Sequence, residues 1–347
     1  MSSVPPTPDF ERLVAAITRA RLPDRVPLAE GGIDPAVMAA FLGRPVNDLP
    51  TFVEFWRRAG YDYAVLEVRG QPLADSAQVR IGGGVMRAHS QHSQTTGAAR
   101  GIHDRQSFES YPWIGIEGAY FGDVDRVARC LPDGMKLIVN VGPIFSGIWR
   151  CMGMETFAEC CVEQPELVAA IAQKMGGITV QIAANVVQRP YVGGIWLGDD
   201  LAYTGGLMVS PAFLRAHVFP HYRAIGALCR RSGRLFIHHS DGNKTAVFQD
   251  LIDCGVQAIH PNEPTSVDLH ALKRQWGDRA AFIGNVDVAL LINGPPPAIV
   301  ACVKELLRTV APGGGFALGS GNTVTADVPL ANYLAMINTV KRFGDIY

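Results

Sequence analysis

The segment Arg234-Leu235-Phe236-Ile237-His238-His239-Ser240-Asp241-Gly242 carries the pattern on which the architecture turns. A short apolar, β-type run breaks off abruptly into residues that titrate. The same event recurs along the chain. Gly193-Gly194-Ile195-Trp196-Leu197-Gly198 ends in Asp199-Asp200. Val256-Gln257-Ala258-Ile259 ends in His260, with Glu263 three residues on. Ala281-Phe282-Ile283-Gly284 ends in Asn285-Val286-Asp287, and Phe316-Ala317-Leu318-Gly319 runs on to Asn322. Short apolar runs separated by helical stretches are parallel strands buried on both faces. Polar residues at the carboxyl ends of such strands converge on one mouth, which is where barrel enzymes keep their chemistry.

Working outward, eight strand candidates can be placed: Val26–Glu30, Tyr63–Val68, Lys136–Val141, Gly194–Leu197, Leu235–His239, Gln257–His260, Ala281–Asn285 and Phe316–Gly319. Helices fill the gaps. Ser210-Pro211 supplies an N-cap and a first-turn proline before Ala212–Arg231, and Gly233 stops it. Asn243–Cys254, Val267–Trp276 and Pro297–Val310 follow, and a final helix opens at Asp327-Val328-Pro329 and runs to about Phe343. This alternation predicts one α/β domain spanning residues 1–347, a closed (β/α)8 TIM barrel. An open doubly wound sheet is the alternative. No Gly-x-Gly-x-x-Gly follows the first strand to support it. Residues 69 to about 133 exceed what a minimal barrel needs and are expected to form an insertion over the mouth. Gly142–Arg150 is expected to give an apolar wall.

Composition narrows the function classes. The 347 residues carry a formal net charge of -1 and no Lys/Arg run, so there is no electrostatic footprint for nucleic acid or an anionic membrane. Met1–Phe10 lacks an apolar signal core, and no uninterrupted apolar stretch is long enough to span a bilayer; a cytoplasmic location is the expectation. Seven cysteines without a Cys-x-x-Cys are read as reduced thiols.

His239-Ser-Asp241 is the sharpest candidate. Residues two apart on an extended segment point the same way, so Ile237, His239 and Asp241 are expected in the lumen and His238 outside. A His and a carboxylate so placed hold a divalent metal or act as an acid/base pair; the plainer reading is that Asp241 caps the next helix. His260 and Glu263 come from the neighbouring strand and complete a candidate metal set, or else belong to a turn built by Pro261 and Pro264. Asp199 and Asp200 are candidate catalytic carboxylates, of which one faces the lumen and the other caps or pairs. Asn285, Asp287, Asn322, Tyr203 and Arg69 are candidate substrate contacts; the asparagines and Asp287 suit turns equally well, and Arg69 could instead pair with an acidic strand end. His89, His92 and His103 are read as solvated loop residues, and Met152 and Met154 as packing.

The order of these motifs, together with Leu22-Pro-Asp-Arg-Val-Pro-Leu28 at the start and Pro329-Leu-Ala-Asn332-Tyr near the end, resembles the uroporphyrinogen decarboxylase superfamily, which also contains corrinoid- and coenzyme M-linked methyltransferases. The resemblance implies a (β/α)8 barrel. The methyltransferases hold zinc with a His-x-Cys-Gly motif and a later Cys. Here His239 matches their His, but Asp241 stands for the first Cys and Asn322 stands near the second. Oxygen ligands accommodate zinc, manganese or magnesium, and thiol methylation loses support. The Arg-rich segment with which uroporphyrinogen decarboxylases grip their substrate has no counterpart, and an acidic mouth would repel a polycarboxylate tetrapyrrole. The leading expectation is metal-assisted transfer of a methyl (one-carbon) group from a small methylated donor, linked to a corrinoid on a partner protein. The alternatives are a cofactor-free decarboxylase (carboxy-lyase) of a small aromatic or heterocyclic acid, and a non-catalytic ligand-binding barrel. A homodimer is the expected assembly.

Overall fold

The computed structural model describes residues 7–68, 78–81, 84–87 and 101–345, the two short middle pieces in backbone only. The strands are β1 (Tyr63–Val68), β2 (Gln78–Ile81), β3 (Gly84–Arg87), β4 (Lys136–Val141), β5 (Val192–Gly198), β6 (Ala202–Tyr203), β7 (Gly206–Leu207), β8 (Leu235–His239), β9 (Ala258–His260), β10 (Ala281–Ile283) and β11 (Phe316–Ala317). Seven of them form one parallel sheet in the order β1-β4-β5-β8-β9-β10-β11. Chain order equals sheet order, as expected when each connection is a helical crossover. The β2-β3 and β6-β7 pairs are antiparallel hairpins outside it.

The expected closed ring is not what the backbone ladders make. The remaining segment, residues 26–30, meets the chain just beyond β11 through a single bridge, Leu28 to Leu318, with Ala29 N–H donating to Leu318 O at 2.8 Å and Leu318 N–H to Pro27 O at 2.9 Å. Among the described residues no ladder joins it to β1. Pro27 has no N–H to give, which shortens any pairing. A side chain spans the gap instead: the Tyr63 hydroxyl accepts from Glu30 N–H at 2.8 Å and donates to Glu30 O at 3.0 Å. On the other side of this segment, Gly319 lies so close that a Cβ would stand 1.9 Å from Ala29 O. Gly319→Ala is therefore expected to cost about 1–3 kcal/mol of stability, read as a lower denaturant midpoint; an unchanged midpoint would show that the segment is free to move away.

Inside the sheet lies a core of its own. Tyr63, Ile138, Trp196, Ile237, Ala258, Ala281, Ile283 and Ala317 alternate inward from successive strands. The helix Phe10–Thr18 presents Phe10, Leu13 and Ile17 to this cluster, a spacing that keeps them on one face, and so fills the amino-terminal end. Burying each is worth roughly 1.5–3 kcal/mol. A second, larger core lies between the sheet and the outer helices.

Helix boundaries differ from expectation where proline intervenes. Ala212–Arg231 is two helices, Pro211–His217 and Phe219–Ser232, because Pro220 cannot continue the first but suits the first turn of the second. Ser210 caps the first and Gly233, with φ 63°, ends the second, as read from the sequence. All seven cysteines are free thiols. Pro165–Val186 is the one described helix long and apolar enough to cross a membrane by length and composition, and 56% of its apolar window is buried against the rest of the protein. Within residues 69–133, Arg69, His89 and His92 lie outside the described residues, whereas His103 is exposed on the surface.

Candidate active site

The register of the sheet builds the site. Gly198 pairs with His239 and His239 with His260, so three strands end level with one another. The residues just beyond those ends are drawn together. His239 Nε2 lies 3.3 Å from Asp241 Oδ1 and 3.8 Å from Asp200 Oδ1. Asp241 N–H donates to Asp200 Oδ1 at 3.2 Å, which ties the two loops to each other. Asn322, from beyond β11, donates to Asp241 Oδ1 at 2.9 Å and to Glu263 Oε1 at 3.3 Å. Glu263 Oε2 accepts from Gly242 N–H at 2.9 Å. Gly242 has φ 71°, and a Cβ there would stand 2.4 Å from the Tyr203 backbone, so only glycine lets the β6-β7 hairpin close over this loop. The Asp241 side chain is still 40% exposed, so a solute reaches it.

Two cations that the sequence reading passed over border this group. Lys244 is fully buried; its ammonium donates to Pro261 O at 2.6 Å and reaches Gly242 O at 3.5 Å. Burial pushes it down to about 8, against the pull of Asp241, Glu263 and Asp200. Arg150 lies 3.4 Å from Asp200 Oδ2 and stacks over the Trp149 ring at 5.1 Å. Neither had a legible signal beyond proximity: Lys244 is three residues past Asp241, and Arg150 ends the wall segment.

The charges set one another. Burial would lower His239, but the Asp241 hydrogen bond and the charges of Asp241 and Asp200 outweigh it and raise the imidazole above its usual range. Burial would raise Asp241, but His239 and Asn322 hold it below the ordinary carboxylate range. Asp200 goes up, through burial first and then the neighbouring Asp241 charge, against His239 and Arg150.

The other candidates fall into place around this group. His260 is buried behind it, with its Nδ1 2.8 Å from His239 Nδ1, so it supports His239 from the far side of the ring. His238 faces the helices, where its Nε2 lies 3.2 Å from the Tyr222 hydroxyl. Of the aspartate pair, Asp200 faces the mouth. Asp199 turns outward and accepts from the N–H groups of Ile144, Phe145 and Ser146 at 3.1, 2.7 and 2.6 Å and from Tyr222 at 2.8 Å. The helix Phe145–Met152 has no cap of its own, and Asp199 caps it from another strand. Asn285 donates to Asn262 O at 2.7 Å, Asp287 caps the helix Val288–Asn293, and the Tyr203 ring is exposed on its hairpin.

The donor atoms of His239, Asp241 and Asp200 all lie within 4.8 Å of one another. One nitrogen and two oxygens so spaced fit a divalent cation with positions left open for a substrate. Glu263 is engaged by Gly242 and Asn322, and His260 Nδ1 faces His239 Nδ1, so neither is among these three closely spaced donors.

Comparison with known proteins agrees with this architecture. Over its whole length the fold is similar to a methyltransferase from Methanosarcina mazei, with a TM-score of 0.68 at 17% identity, covering 96% of this chain and 98% of the other. Uroporphyrinogen decarboxylases of Coxiella burnetii are 24% identical over 187 residues, 52% of this chain and 49% of theirs, so the chain matches about half the length of these relatives. The model of the uroporphyrinogen decarboxylase family matches residues 117–343, from the insertion through the last helix. The chain belongs to the uroporphyrinogen decarboxylase family.

Proposed function

We propose that this protein is an enzyme that transfers a methyl group from a small methylated donor, assisted by a divalent cation held by His239 Nε2, Asp241 and Asp200. The observation that carries the reading is the convergence of those three donor groups at the level carboxyl ends of β5 and β8. When bound, such a cation supplies Lewis-acid polarisation of the donor's leaving atom. The chain's own residues do the rest. Asn322 and the Asp241 N–H hold the two carboxylates in place. Arg150 steadies Asp200 at Oδ2, which leaves Oδ1 toward His239 and the cation. Lys244 balances the carboxylates from below, and Trp149 and Arg150 form one wall. The 69–133 insertion would cover the mouth and exclude water. The acceptor would be a corrinoid carried by a partner protein that docks at this face, and the chain itself would form a homodimer in the cytoplasm.

Chelator-stripped protein titrated with zinc, manganese and magnesium is expected to bind one cation per chain, and the loaded protein to methylate a reduced cobalamin from a methylated amine, thiol or ether. Absence of stoichiometric cation binding would end this reading.

One observation favours a second reading, cofactor-free decarboxylation. Lys244, Arg150 and a protonated His239 match the three carboxylates Asp200, Asp241 and Glu263 in number, and Arg150 on Trp149 suits the carboxylate of an aromatic acid. Release of carbon dioxide from aromatic or heterocyclic acids by metal-free protein would establish it.

A further inference from the structure

The opposite end of the sheet from the mouth holds two cations that no ion pair neutralises. Arg19 is the C-cap of the helix Phe10–Thr18, which fills this end, and takes a left-handed backbone there with φ 57°. Lys273 lies in the helix Leu269–Trp276, which precedes β10. Beside them runs Gly313-Gly314-Gly315, three successive residues at φ 80°, 73° and 67°, directly before β11. Gly315 N–H donates to Ala16 O at 2.8 Å, and Gly315 O accepts from Phe282 N–H at 3.0 Å. The loop is thereby fixed between the first helix and the sheet.

The loop brings the two charges to one spot. A Cβ on Gly315 would stand 2.8 Å from Arg19 Nη1 and 3.2 Å from Lys273 Nζ, so both nitrogens face the same space and a glycine leaves it clear. Their partners are backbone carbonyls. Lys273 Nζ donates to Gly314 O, and Arg19 Nη2 donates to Asp278 O at 3.0 Å. Arg19 Nη1 is buried and has no partner among the described residues. Other arginines of this chain are met by carboxylates: Arg12 by Asp24 and Asp62, Arg189 by Asp125, Arg215 by Asp250. Here the like charges work against each other. Burial and then the Arg19 charge push Lys273 down to about 8, and burial lowers Arg19 against the pull of Asp278. A charge withdrawn from water is ordinarily paired, so this arrangement lacks an anion.

We propose that Arg19 Nη1 and Lys273 Nζ, with Gly315 between them, form a binding site for a phosphate group at the amino-terminal end of the sheet. A carboxylate would balance one of the two charges. A tetrahedral dianion balances both and has an oxygen for each nitrogen. The guanidinium offers its free N–H in a fixed plane, and the flexible lysine stem lets the ammonium turn from Gly314 O to share the ion. The bound ion would tie the first helix, the helix before β10 and the loop before β11 to one another. The site is independent of the reaction carried out at the mouth.

The test uses the full chain, freed of divalent cations so that phosphate cannot bind at the mouth through a metal. Calorimetric titration with inorganic phosphate at constant ionic strength is expected to saturate at one ion per chain. Arg19→Gln and Lys273→Gln change half-buried side chains, so both should stay folded, and each should weaken binding by about tenfold or more, as loss of a hydrogen bond to a charged group does. A second readout needs no variant. Phosphate should slow the acetylation of Lys273 by an acid anhydride, followed by mass spectrometry of the parent protein. Glycerol phosphate that protects Lys273 as well as phosphate does marks the ligand as a phosphomonoester, and protection by inorganic phosphate alone marks it as the free ion; both results support the site. Titration without saturation, or Lys273 labelled as fast with phosphate as without it, would overturn the proposal. So would undiminished binding to folded Arg19→Gln and Lys273→Gln, or acetate as effective as phosphate. Should the variants not fold, the labelling of the parent protein decides.

Discussion

His239→Ala is expected to abolish tight binding of a divalent cation, and turnover with it, while leaving the protein folded. The imidazole is the one nitrogen ligand offered by the cluster, and Asp241 and Asp200 alone would be two carboxylates of like charge with only Asn322, Arg150 and Lys244 to steady them. Losing even an outer partner of a ligand commonly costs about tenfold to a hundredfold in affinity or activity, so loss of the ligand itself should exceed that. The fold should survive because the His239 side chain is partly exposed at a strand end, whereas Phe236 and Ile237 beneath it carry the packing. Calorimetric titration with zinc or manganese, with a melting curve on the same sample, checks both halves. Unchanged affinity in a folded variant would move the cation site elsewhere and remove the proposed assignment of ligands.

Asp199→Ala should do the reverse, with the largest effect on stability of any single change near the mouth. It strips four donors at once: three backbone N–H groups at the start of Phe145–Met152 and the Tyr222 hydroxyl. Each buried group left without a partner costs about 1–3 kcal/mol, and part of that is recovered by water or rearrangement. A loss of about 3–5 kcal/mol in denaturant unfolding is expected, comparable to breaking a buried ion pair. Asp199→Asn keeps one acceptor oxygen and should fall between. Cation affinity per folded molecule should be nearly unchanged in either, because Asp199 points away from His239. A stable Asp199→Ala protein with lost cation binding would mean that the adjacent aspartates have their roles exchanged.

The contrast between these neighbours shows what was legible in the sequence. The apolar runs announced their strands: β1, β4 and β8 have the limits expected, and β5 extends the expected run by a residue or two at each end. Alternation put His239 and Asp241 inward and His238 outward, and the contacts of His239 with Asp241 and of His238 with Tyr222 agree. That one of Asp199 and Asp200 would face the mouth followed from the same alternation; which one did not, because the decision belongs to a helix fifty residues earlier that lacks its own cap. The break at Val218 was written in Pro220 but hidden by the strong helical pattern on both sides. Lys244 and Glu30 were illegible for a different reason. A buried lysine or glutamate looks like any surface one until the backbone carbonyls or the serine that receive it are known, and Ser320 is 290 residues from Glu30. Closure of the ring was expected from eight runs, yet the count of strands says nothing about whether the first and second share a ladder; Pro27 was the clue.

That seam has a mechanical meaning. A continuous ladder resists shear with many evenly spaced bonds, and its stiffness is shared along the strand. Here one phenol, attached by a single side chain, holds the edge of β1 to Glu30 by two bonds on the same residue. Such a joint behaves as a hinge pin: it fixes separation at one point and leaves rotation about that point nearly free. The pin sits at the residue whose carboxyl grips Ser320. Any widening of the sheet between its first and second segments would thus be felt first at Glu30.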